Sequence, residues 1–144
     1  MIAAALAAGI DAVSGTDVRS EFAERARTNL AHAGMRVADG AIIVHDATAD
    51  FPPLRYSAAG PEPPALAAGA QPDLIVANPP WGRKFGEGGD CVPIVQSVSR
   101  QFPDATACWI VNAQGFGALR DVPHARLLHH VALGGVELVV LCRD

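Results

Sequence analysis

The sequence predicts an α/β fold: a mostly parallel sheet covered by helices and ended by a C-terminal antiparallel hairpin. Three observations carry this expectation. Two short β-branched runs, residues 12–18 and 41–46, each close on an acid, Asp17 and Asp46, and an amphipathic helix follows the first at once. An apolar run, Leu74-Ile75-Val76-Ala77, leads out of Pro72-Asp73 and stops at Asn78, because Pro79 and Pro80 supply no backbone N–H to continue a central strand. Near the end, residues 125–131 and 136–141 flank Leu133-Gly134-Gly135, and a Gly-Gly pair suits the turn of a hairpin.

The elements follow in order. Residues 2–8 are nearly all Ala and Leu, strong helix formers, and Gly9 is a natural stop. This opening is apolar enough for the core of a signal peptide, yet no Lys or Arg precedes it and Asp11 follows closely, which speaks against secretion. After the strand at 12–18, Ser20 is a candidate N-cap with Glu21 and Glu24 in the first turn, and the helix runs to Gly34. Phe22, Ala26, Leu30 and Ala33 fall on one face, while Glu21, Arg25 and Thr28 face away. An acid where a strand hands over to a helix, as Asp17 does, can accept both ribose hydroxyls of a nucleotide; the macrodipole also favours an acid there without any ligand. Asp46 closes the next strand, placed to accept from an adenine amine. His45 points to the opposite face and reads as a packed or surface residue.

Residues 50–71 break the pattern with Pro52, Pro53, Pro61, Pro63 and Pro64 among glycines and alanines, a flexible excursion with one helical turn at 64–68. Residues 84–89 form a Gly-rich loop without the G-x-G-x-x-G spacing, so a phosphate cradle is not expected there. A helix at 92–102 ends at Pro103-Asp104, and a strand at 105–111 carries Cys108 and Trp109. Gly115 and Gly117 flank Phe116 ahead of a short helical stretch to Val122. In the terminal hairpin His129 and His130 take opposite faces of one strand, so they are read as structural and not as ligands of one metal.

Composition bounds the function. At 144 residues, half of them apolar, the chain is one domain's worth with a real core. A net charge of −4 gives it no global basic footprint for nucleic acid, and only Arg83 and Lys84 put positive charge beside the proline pair. Three cysteines, Cys91, Cys108 and Cys142, are scattered, odd in number and without a C-x-x-C pair. They suit a reducing compartment and ordinary packing, and no apolar run reaches the roughly 18 residues that span a bilayer; a cytoplasmic protein is expected.

The tetrapeptide Asn78-Pro79-Pro80-Trp81 resembles the motif of S-adenosylmethionine (SAM)-dependent methyltransferases that modify exocyclic amino groups of nucleobases: the adenine-N6 and guanine-N2 enzymes, and a glutamine-methylating branch. Its chemistry is intelligible from the residues. A ring-conjugated amine is a poor nucleophile until acceptors draw on its hydrogens, and Asn78 Oδ1 with the Pro79 carbonyl supplies two acceptors. The prolines fix where the carbonyls point, and Trp81 is suited to stack on a base swung out of its helix. A Pro-Pro turn with a Trp that caps the core is the plainer reading. With Gly15-Thr16-Asp17, residues 26–30 and Gly82-Arg83 added, the chain from residue 12 onward looks most like the RNA guanine-N2 methyltransferases that carry a THUMP domain, although those more often have Tyr where this chain has Trp81.

The resemblance implies a Rossmann-like class I methyltransferase fold, with Asp17 and Val18 at the ribose, Asp46 and Ala47 at the adenine, Asn78 shared between cofactor and target, and Asn78, Pro79, Pro80 and Trp81 at the target amine. It also implies a first strand and a Gly-rich loop for the methionyl part of SAM, which these residues do not supply. In the family that strand lies mid-sheet, between the second and fourth, so the strands at 12–18 and 73–77 are expected to leave edges unpaired or to close up on each other. The chain is therefore expected to be the C-terminal portion of an RNA methyltransferase, one catalytic domain over 1–144 with its start missing. A longer reading frame or a protein partner would complete the sheet, and a further domain or partner would bring the tRNA or rRNA. The competing expectation is a truncated, non-catalytic fold that serves as a binding or accessory module. A nicotinamide-dinucleotide domain explains Asp17 but has no use for the proline motif and lacks its glycine signature.

Overall fold

In the computed structural model, residues 12–34, 38–56, 70–79, 91–123, 125–134 and 136–143 are described, and the chain divides into two compact units, Met1–Ala70 and Gln71–Asp144. The chain is α/β, with parallel and antiparallel pairings. The expected helix at 2–8, the excursion at 57–69 and the Gly-rich loop at 84–89 lie outside the described residues.

The first unit holds β1 (Gly15–Asp17), α1 (Ser20–His32) and β2 (Ile42–Val44). β1 and β2 pair in parallel, Asp17 beside Val44, and Ser14 Oγ donates to the Ala41 carbonyl just before the ladder. Parallel pairing needs a crossover, and α1 supplies it. Its packed face differs from the one expected: Ala23 and Leu30 are buried on Ile42 with Ala26 and Val13 around them, while Ala33 is exposed. The small Ala23 allows close approach to the sheet. The larger Phe22 ring is turned aside, with the Arg19 guanidinium 3.7 Å and that of Arg25 5.6 Å from its centroid. Ser20 is not the N-cap either. Arg19 occupies that position without a side-chain cap, and Gly34 ends the helix at φ +73, where a Cβ would be strained.

The second unit holds β3 (Leu74–Ala77), α2 (Val92–Gln101), β4 (Thr106–Val111), α3 (Ala113–Arg120), β5 (Ala125–Leu133) and β6 (Val136–Arg143), with sheet order β3-β4-β6-β5. β3 and β4 are parallel; β6 runs antiparallel to both neighbours. Among the described residues parallel pairings do not predominate as expected: β1–β2 and β3–β4 are parallel, and the hairpin contributes two antiparallel ladders. β6, rich in Val and Leu, takes the inner place, and β5, with Arg126, His129 and His130, takes the edge, where charge is tolerated. The hairpin is longer than predicted and turns through Gly134 at φ +58, and Leu128 is an extra residue between the pairs Leu127–Leu141 and His129–Val140. Among the described residues β1 and β3 each have a strand on one edge alone, one of the two arrangements expected for them.

One face of the four-stranded sheet carries the core. Trp109 and Val111 of β4 and Val139 and Leu141 of β6 are buried there together with Val95 and Val98 of α2 and Leu119 of α3. The opposite face, including Cys108, Ile110, Leu138 and Val140, is only half-buried. Contrary to the sequence expectation, Gly115 and Gly117 lie inside α3. Asn112 caps that helix by accepting the Gly115 N–H at 3.0 Å, which offsets the low helix propensity of the glycines. Gly115 is required by packing: a Cβ there would sit 2.5 Å from Cys91 Sγ and 2.8 Å from Val111 Cβ, whereas one on Gly117 would meet nothing within 4 Å. Gly115→Ala should accordingly cost about 1–3 kcal/mol by overpacking, and Gly117→Ala should stabilise by up to about 1 kcal/mol through helix propensity. Urea midpoints of the two variants check this; shifts of the same sign would contradict the packing argument.

Candidate functional site

The parallel ladder of the first unit brings Asp17 and Asp46 to the same, carboxyl end of its strands. The His45 N–H donates to the Asp17 carbonyl at 3.0 Å and Thr16 Oγ1 donates to the His45 carbonyl at 3.3 Å, so the pairing extends to the residue before Asp46. Each acid also closes a local turn. Asp17 Oδ1 accepts the Arg19 N–H at 2.9 Å, which shapes the entry into α1. Asp46 Oδ1 accepts the Thr48 N–H at 2.9 Å and the Thr48 hydroxyl at 2.8 Å. The Thr48 backbone N–H, then its hydroxyl, and to a lesser extent His45, hold the Asp46 carboxyl below the ordinary carboxylate range, against a small desolvation effect.

Apolar surface adjoins these acids. Val18 is 62% exposed and Val44 51%, unusual for β-branched residues at a sheet end, and Ala47 is half-buried. Val44 was not singled out in the sequence, because its place beside Asp17 follows from strand register alone. Thr48 was legible in principle, since an Asp followed two residues later by Thr is a turn signal. His45 is packed, as its position suggested: its ring lies 4.5 Å from that of Phe51, and its Nε2 is buried without a hydrogen-bond partner.

In the second unit, Asn78 and Pro79 follow directly on β3, whose parallel partner is β4. Asn78 is exposed and Pro79 is buried, so the proline fixes the backbone on which the amide is presented. Pro80, Trp81, Arg83 and Lys84 lie outside the described residues. Cys91 is 1% exposed where α2 begins, and its thiol donates to Asn112 Oδ1 at 3.4 Å, the oxygen that caps α3. This cysteine's partner is not legible in the sequence, because Cys91 and Asn112 are joined only through the tertiary fold.

The histidine pair separates as expected from strand alternation: His129 stands opposite Val140 and His130 opposite Val139. His130 Nε2 lies 2.6 Å from Glu137 Oε2, and its ring stacks on Phe116 at 4.2 Å. Among the described residues no group of His, Cys, Asp and Glu could hold a metal ion, and no helix is long and apolar enough to cross a membrane. None of the three cysteines is in a disulfide.

Compared with known proteins, the chain matches no family model, no curated protein and no solved structure.

The turn at Asp46 makes a direct prediction. Its lowered pKa means that the ionised carboxylate stabilises the native turn above the ordinary carboxylate range, and that this contribution is lost as pH falls through the lower native pKa. Thr48→Val removes the hydroxyl donor and should raise the Asp46 pKa toward the ordinary value in a carboxyl-carbon NMR titration, without abolishing the shift, because the larger backbone contribution remains.

Proposed function

We propose that this chain acts as a SAM-dependent methyltransferase on an exocyclic amino group of a nucleobase, the N2 amine of guanine in a tRNA or rRNA. The observation that carries the proposal is the place of the Asn-Pro motif: Asn78 is exposed on a buried proline at the carboxyl end of a parallel strand, where open α/β sheets bind their ligands.

The residues fit the adenosine end of SAM. Asp17 stands next to exposed Val18 and Val44, a carboxylate beside apolar surface, as a ribose and a flat base require. Its Oδ1 is engaged by Arg19, so the ribose hydroxyls are assigned to the remaining oxygen. Asp46, already turned toward Thr48, is assigned to the adenine amine with Ala47 beside it. The bound cofactor supplies an electrophilic sulfonium methyl group. Asn78 Oδ1 and the Pro79 carbonyl accept the two hydrogens of the target amine and raise its nucleophilicity, and Trp81 stacks on the extruded base. With the methyl group moved from the sulfonium sulfur to the amine nitrogen, the amine held by Asn78 and Pro79 would release one proton to solvent.

The proposal separates binding from chemistry. Asp17→Ala should weaken SAM binding by tenfold or more, in line with the roughly 1.5–3 kcal/mol of a hydrogen bond to a charged group. Asn78→Ala should leave SAM affinity within about threefold while lowering methyl transfer to RNA by roughly two orders of magnitude, the scale expected for a preorganised polar contact. Calorimetry with SAM and mass spectrometry of the nucleosides from treated RNA measure the two effects. Retained turnover in Asn78→Ala would remove Asn78 from the mechanism, and methylated adenosine in place of guanosine would move the enzyme to the adenine-N6 class. A chain that binds RNA or a protein but not SAM would instead be the accessory module.

A further inference from the structure

We propose that Asn112 is a positioning residue for the Asn78-Pro79 motif, which it holds in place by accepting hydrogen bonds from α2 and α3 at once. The inference rests on the reading of that motif as the site of methyl transfer. Strand register brings the two asparagines to one end of the sheet. β3 and β4 are parallel, with Ala77 beside Trp109, so Pro79 comes level with Val111 and Asn112 stands one residue beyond. Alternation puts Pro79 and Val111 on the face that carries the core, and both are buried, whereas Asn78 is exposed.

Close packing holds that end of β4. A Cβ on Gly115 would lie 2.8 Å from Val111 Cβ and 2.5 Å from Cys91 Sγ, so β4, α3 and the start of α2 meet without spare room. Asn112 fixes this approach. Its Oδ1 accepts the Gly115 N–H at 3.0 Å and the Cys91 thiol at 3.4 Å, and an amide oxygen has two lone pairs for the two donors.

The first of these bonds is an ordinary helix cap, for which the short hydroxyl of a serine would serve equally well. The second has no part in capping. It reaches across the fold to a residue 21 positions away, 1% exposed at the start of α2. Among the described elements α2 comes next after β3 in the chain, so the residues on both sides of that connection, Pro79 and Cys91, are referred to the same two residues of β4, Val111 and Asn112. The proposed activation of the amine depends on where Asn78 Oδ1 and the Pro79 carbonyl point. With no slack at Gly115, loosening the bond to Cys91 shifts Val111, and Pro79 moves with it.

Two substitutions separate capping from positioning. Asn112→Asp keeps an acceptor of the same length for both donors, whereas Asn112→Ser keeps the cap but falls short of Cys91. Both are expected to retain the circular dichroism of the parent. In methyl transfer to RNA, Asn112→Ser should lower kcat about tenfold or more with KM and SAM affinity close to the parent's, the pattern of a misplaced group that acts in the transition state, and Asn112→Asp should match the parent. The side-chain amide resonances of Asn78 in the isotope-labelled full chain give a readout that needs no activity: they should be displaced in Asn112→Ser and return to the parent positions in Asn112→Asp. Unmoved Asn78 resonances or a parental kcat in Asn112→Ser would reduce Asn112 to a helix cap and overturn the proposal, as would an Asn112→Asp variant that behaves like Asn112→Ser. A parent chain that transfers no methyl group would refute the proposed reaction instead, and the Asn78 resonances would then decide the positioning role by themselves.

Discussion

The second unit depends on the side-chain oxygen of Asn112. It accepts the Gly115 N–H that starts α3 and the thiol of Cys91 where α2 begins, so one acceptor ties both helices to the end of β4. The contact is possible only because Gly115 has no Cβ to collide with Cys91 and Val111. With that approach allowed, α3 lies over Val111, Val139 and Leu141, and the face of the sheet bearing Trp109 becomes the core. Buried polar groups are tolerated when paired, and here one paired polar atom sets the position of two apolar elements.

Function, as proposed, sits at the opposite extreme of burial. Asp17, Val18, Val44 and Asp46 stand at the exposed carboxyl end of one parallel pair, and Asn78 stands exposed at the carboxyl end of a strand in another. Parallel pairing matters more than strand length here, because it directs the ends of successive strands the same way. β1 and β2 have only a short ladder, yet the backbone bond from His45 to Asp17 extends it to the edge of the candidate site.

Local chemistry was legible in the sequence wherever it is local in the chain. Pro79 stops β3, Gly34 ends α1, and Gly134 turns the hairpin, each through a backbone preference of its own residue. Sequence and structure part where packing competes with propensity. Spacing puts Phe22 on the buried face, but the small Ala23 packs there and Phe22 is held beside arginines. The two glycines of α3 read as helix breakers, yet one of them is what lets the helix close on its neighbours.

By itself the sequence determined the α/β class, the places where strands end, and which polar residues, Asp17, Asp46 and Asn78, fall at those ends, because these follow from dihedral limits, missing N–H groups and periodicity along the chain. Only the tertiary structure decided that β6 lies inside β5, that Val44 borders Asp17, that Cys91 answers Asn112 and that the bulge exposes Leu127 and Leu128 together. Each of these joins residues through strand register or side-chain volume, and neither quantity is written in the spacing of a single segment.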